Sequence, residues 1–118
     1  MIPEEIYKVA VKVRRAAEKF ALKEKFPNHL GGCCFWASRE LFKHLKRLNY
    51  RVGLAINDGH CFVIYGNYLI DLTATQFGSY PKVYIKPRNN RGVWKECCRT
   101  FSLKRAKTFD NCWYLEYK

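Results

Sequence analysis

The hydrophobic period of this chain changes near residue 50, and that change limits the folds open to it. From Ile6 to Leu48 apolar residues recur at three-to-four spacing, and from Val52 to Leu72 they come in short runs bounded by turn residues. The first part reads as helices. Pro3-Glu4-Glu5 opens one, because Pro is tolerated in the first turn and carboxylates suit the positive end of the helix dipole. Ile6, Val9, Val13, Ala16, Ala17 and Phe20 then form a buried stripe as far as about Lys25. Pro27-Asn28 stops this helix and Gly31-Gly32 opens a loop. A second helix is predicted from about Cys34 to Leu48.

The second part reads as strands at Val52–Ile56, His60–Tyr65 and Tyr68–Leu72, with Lys82–Lys86 and Trp113–Tyr117 to follow. Asn57-Asp58-Gly59 and Gly66-Asn67 are the turns between the first three. Helices followed by a strand meander predict an α+β fold with N-terminal helices packed on a small antiparallel β-sheet. At 118 residues, residues 1–118 make one domain with room for a core.

No apolar run reaches the 18 residues a membrane-spanning helix needs. The first 20 residues are charged throughout and lack the apolar centre of a signal peptide, so a cytoplasmic setting with reduced thiols is expected. The six cysteines include two vicinal pairs, Cys33-Cys34 and Cys97-Cys98. Vicinal thiols cannot easily face one ion, so no metal and no cofactor is expected.

Cys34 lines up with the stripe Ala37, Leu41, Leu45 and Leu48 and so faces the sheet, whereas Cys33 lines up with Ala37, Glu40 and His44 and belongs to the loop. A thiol at a helix N-terminus meets unpaired N–H donors and the positive dipole end, which favour the nucleophilic thiolate. It could equally be a small buried hydrophobe.

A two-residue turn at Gly66-Asn67 pairs Tyr65 with Tyr68, Phe62 with Asp71 and His60 with Thr73. His60 and Asp71 then share one face as diagonal neighbours, and a slip of one residue would separate them. His60 could be a strand-edge residue and Asp71 a loop cap. A carboxylate inside the apolar run Tyr68–Leu72 is nevertheless costly to bury unless it is paired. A cysteine nucleophile needs an imidazole partner, and that imidazole needs a third group to fix its tautomer.

The motifs C-F-W-A-S at Cys34–Ser38, G-H-C-F-V at Gly59–Val63 and I-D-L-T-A-T-Q-F at Ile70–Phe77 resemble the compact members of the papain-like and transglutaminase-like cysteine hydrolase superfamily. They are similar to short phage and bacterial proteins with a G-x-C-x-x-A-S-x-x-L helix start and a D-x-T-A-x-Q-F element. The resemblance covers Asn28 to about Phe77 and implies a minimal papain-like/transglutaminase-like core. It also implies Cys34 as nucleophile, His60 as general base and acid, and Asp71 as the orienting group. The Cys34 backbone N–H would serve the oxyanion, with Asn28 or Gln76 as second donor. Asn28 could also simply stop a helix, and Gln76 could tie its loop.

The expected activity is cysteine-dependent acyl transfer through a thioester on a protein or peptide carboxamide. Peptide or isopeptide hydrolysis, glutamine deamidation and transamidation all share that chemistry. The net charge is +12, and no Lys or Arg falls between Val52 and Pro81. Such a surface suits an acidic or phosphate-bearing partner, nucleic acid included, or it is a solvated face. The alternatives from other classes are a non-catalytic basic binding or inhibitor protein on the same fold and a small nucleic-acid-binding module. His29 and His44 are expected to be exposed. Phe35, Trp36, Phe62, Tyr65, Tyr68 and Phe77 are expected mostly in the core.

Overall fold

A computed structural model describes residues 2–56 and 60–96, together with the backbone of 108–109 and 112–116. The Asn57-Asp58-Gly59 turn, Cys97 and Cys98, most of the basic C-terminal segment, and the side chains of Cys112 and Trp113 lie outside the described residues. The fold is α+β. Helices α1 (Glu4–Lys23) and α2 (Cys34–Arg47) precede strands β1 (Gly53–Ile56), β2 (Cys61–Tyr65), β3 (Tyr68–Asp71), β4 (Tyr84–Pro87), β5 (Thr108–Phe109) and β6 (Cys112–Glu116). All neighbouring strands are antiparallel, in the order β4-β3-β2-β1-β6-β5. Short 3-10 turns at Ala74–Phe77 and Gly92–Trp94 flank β4.

Helix α2 packs on β1 and β2, and α1 packs on α2. Leu54, Val63 and Ile70 join the helical core, while Ala55, Phe62, Ile64 and Leu69 point to the other face and pack with Trp94. This is the two-residue alternation of a sheet buried on both sides. Tyr65 pairs with Tyr68 and Val63 with Ile70, the register expected from the Gly66-Asn67 turn. Among the described residues no helix is long and apolar enough to cross a membrane.

The buried side of α1 differs from the expected stripe. Ile6, Ala10, Val13, Arg14, Ala17 and Ala21 are buried, Val9 and Phe20 are half-buried, and Ala16 is exposed. The small residues Ala10, Ala17 and Ala21 let α1 approach its neighbours closely. Arg14 comes inside with them, and its Nη1 donates to the Leu72 carbonyl at 2.8 Å and to Thr75 Oγ1 at 3.0 Å. A guanidinium can be buried here because its donors find fixed acceptors.

Two further expectations need correction. Cys33 precedes the helix, as expected of a loop residue, but its side chain does not follow the expected phase with Glu40 and His44; it is fully buried in the helical core. It is the N-cap, with φ −103° and ψ 3°, so the phase of α2 does not extend back to it. The aromatic set is divided as well. Phe62 is buried and Trp36, Tyr65 and Tyr68 are half-buried, but Phe35 and Phe77 are exposed. His29 and His44 are exposed, as expected.

Candidate active site

His60 directly precedes β2, at the end of the sheet where α2 begins. Ser38, one helical turn after Cys34, donates from Oγ to the Cys61 carbonyl at 3.0 Å, and this bond ties the first turns of α2 to the start of β2. Cys34 is thereby held beside His60, half-buried at the rim of the helical core. It is the first residue of α2, so its N–H has no acceptor within the helix. No acidic residue stands in that first turn, which leaves the positive end of the dipole unopposed.

Asp71, fully buried at the end of β3, is saturated with donors. Its Oδ2 accepts from His60 Nε2 at 2.6 Å and from Trp94 Nε1 at 2.7 Å. Its Oδ1 accepts from the Thr73 N–H at 2.8 Å and from Thr73 Oγ1 at 3.3 Å. Because a carboxylate only accepts, Nε2 must carry the proton, and Nδ1 is the ring nitrogen left for chemistry. That Nδ1 is the buried side-chain nitrogen or oxygen without a hydrogen-bond partner among the described residues.

Cys34 acts on the same ring. Burial works against a charge on His60, but the Asp71 hydrogen bond and then the Cys34 thiol outweigh it, and the imidazolium is held up to about pKa 9. Cys34 is near enough to contribute to that shift, yet no formed hydrogen bond closes the gap to Nδ1.

The neighbouring thiols are disfavoured as nucleophiles. Burial, followed by the nearby Cys34, raises Cys33, and the same two causes push the fully buried Cys61 well above its ordinary value. Both therefore stay neutral at neutral pH.

Of the two other candidate donors, only Gln76 comes near the site. Its Nε2 donates to Thr73 Oγ1 at 3.2 Å, which links it through Thr73 to Asp71. A Cβ on Gly31, in the loop before Cys34, would stand 3.9 Å from Gln76 Oε1 and only 2.7 Å from His29 Cε1. A side chain at position 31 would therefore collide with the His29 ring, whose Nδ1 accepts the Gly31 N–H at 3.1 Å. Thr75 Oγ1 donates to the His29 carbonyl at 3.0 Å and joins this loop to the one after Asp71. Asn28 is exposed on the preceding turn, and among the described residues its side chain makes no hydrogen bond to the site.

Two further residues touch the site, and of these Trp94 belongs to no motif while Phe77 ends the I-D-L-T-A-T-Q-F motif. Trp94 supplies the second donor to Asp71 Oδ2, and its ring lies under Lys86 Nζ at 3.6 Å. The signal that could have found it is the hydrogen-bonding capacity of Asp71, which His60 alone does not fill. Phe77 stacks edge-on against His60 at 4.8 Å between centroids. Among the described residues no three His, Cys, Asp or Glu side chains converge to hold a metal ion. No family model, curated protein or solved structure matches this chain.

Proposed function

We propose that the protein is a cysteine-dependent acyl-transfer enzyme of papain-like or transglutaminase-like type, acting on a protein or peptide carboxamide. The observation that carries this reading is the buried His60–Asp71 pair at 2.6 Å, with Nδ1 unpartnered and Cys34 beside it at the start of α2. A merely structural histidine would have both ring nitrogens satisfied at that depth.

In the proposed reaction Cys34 Sγ, as thiolate, attacks the carboxamide carbon and the carbonyl π pair moves onto oxygen. The Cys34 N–H and the Gln76 carboxamide are the candidate donors to that oxyanion, the second after a side-chain rotation. The intermediate collapses to a thioester as the C–N bond breaks, and His60 Nδ1–H gives its proton to the leaving amine. Water or a second amine then attacks the thioester, His60 takes its proton, and the thiolate departs. Asp71 holds Nε2–H throughout and stabilises the imidazolium. Trp94 and Thr73 hold Asp71.

Peptide hydrolysis, isopeptide hydrolysis, deamidation and transamidation differ only in the leaving amine and in what resolves the thioester. The chemistry needs free thiols, which suits a cytoplasmic setting.

The test is iodoacetamide labelling at neutral pH, mapped by mass spectrometry. Cys34 should react selectively, and His60→Ala should slow it sharply. Equal labelling of several cysteines, or none, overturns the reading. Ammonia release compared with peptide cleavage on glutamine-containing peptides then separates the subtypes.

A further inference from the structure

The solvent face of α1 carries a row of cations that the fold does not use. Lys12, Arg15, Lys19 and Lys23 are all exposed and follow one another at spacings of three or four residues. At roughly 100° per residue they fall within an arc of about 80°, centred opposite the buried residues Ile6, Ala10, Val13, Ala17 and Ala21. Lys8 extends the row by one turn but pairs with Glu4 at 3.6 Å. Among the described residues the other four pair with no carboxylate; Glu18 is taken by Arg14 and Lys82 on the flank of the helix.

Solvated helix faces usually mix charge signs, because like charges one turn apart repel each other. Here four consecutive cations, from Lys12 to Lys23, accept that repulsion over about 16 Å of helix. A small anion would meet one or two of them. Only a repeating anion can engage the whole row.

We propose that this face of α1 binds the phosphate backbone of a nucleic acid duplex without reading its sequence. Phosphate contacts require only cations and carry no sequence information. An acidic protein is a poorer fit. Protein interfaces are anchored by buried aromatic and apolar side chains, and the row contains none, with Leu22 and Ala16 at its two flanks. A membrane surface is also a poorer fit, since the apolar face of α1 is committed to the core and cannot insert. The row lies opposite the buried side of α1, with Lys12 at its edge toward Glu40 and His44 of α2 and Arg15 at its edge toward Pro81 and Val83. The inference does not depend on Cys34 being catalytic.

The test uses the whole protein and a fluorescein-labelled DNA duplex of arbitrary sequence, with anisotropy followed from about 50 to 200 mM salt. Four phosphate contacts give a slope of log K against log salt of about −3.6, or a loss of about 150-fold over that range. The pair Lys12→Gln/Lys19→Gln should make the slope shallower by about 1.8. The pair Lys12→Arg/Lys19→Arg should leave it unchanged, and Arg15→Gln provides an independent single step. Circular dichroism and the Cys34 labelling rate should match wild type in all of them. No binding to the duplex, an unchanged slope in the Gln variants, or stronger binding to polyglutamate or phosphatidylserine vesicles than to the duplex would each overturn the proposal.

Discussion

Replacing Asp71 with Asn should remove the charge on His60 while nearly preserving shape. In the wild type Oδ1 accepts from Thr73, and Oδ2 accepts from both His60 and Trp94. In the variant the amide oxygen keeps Thr73, so the amide NH2 faces two donors. His60 must then lose its Nε2 proton and turn that nitrogen into an acceptor. The Trp94 N–H is left without a partner in a buried site. Breaking a buried charged pair by removing one partner costs about 3–5 kcal/mol.

The pH dependence isolates the part due to His60. Its folded pKa of about 9 lies above its ordinary 6.5, a difference worth about 3 kcal/mol for this buried group. Because the folded value is the higher one, this stabilisation is fully present below pH 6.5 and is lost as pH rises through 9. Because Cys34 supplies part of that shift, Asp71→Asn should lose at most the ~3 kcal/mol, up to about 12 °C in Tm, most at pH 6 and much less above pH 9. The assay is urea denaturation with reductant at several pH values, with the wild-type and variant curves subtracted. A difference that stays constant from pH 6 to 10 would refute the claim that Asp71 holds the imidazolium.

Other substitutions probe the supports of the site. Trp94→Phe removes a hydrogen bond to a buried carboxylate and should cost about 1.5–3 kcal/mol, measured by urea denaturation. Ser38→Ala removes the bond from α2 to the Cys61 carbonyl, with an expected loss of about 1 kcal/mol and slower Cys34 alkylation as α2 loosens from β2. Arg14→Met removes the donors to Leu72 and Thr75, and hydrogen exchange of residues 72–76 should accelerate while that of α2 does not. Cys34→Ser should abolish selective iodoacetamide labelling and leave Cys33 and Cys61 unreactive, because both are buried.

What could be read from the sequence was what local geometry dictates. The change of hydrophobic period marks the boundary between helices and strands. A two-residue turn at Gly66-Asn67 fixes the β2–β3 register, and the period of two then places His60 and Asp71 on one face. The start of α2 at Cys34 follows from the apolar stripe after it.

Tertiary structure decided the contacts whose partners lie far apart in the chain. Trp94 reaches Asp71 across 23 residues and Arg14 reaches Leu72 across 58, and neither sits in a local pattern that names its partner. Cys33 is buried although the helix phase points it elsewhere, because periodicity stops applying where the backbone leaves helical geometry at the cap. Phe35 and Phe77 are exposed because hydrophobicity alone does not say which aromatic residues the core has room for. Periodicity propagates along a continuous element, and only packing fixes what one element meets on another.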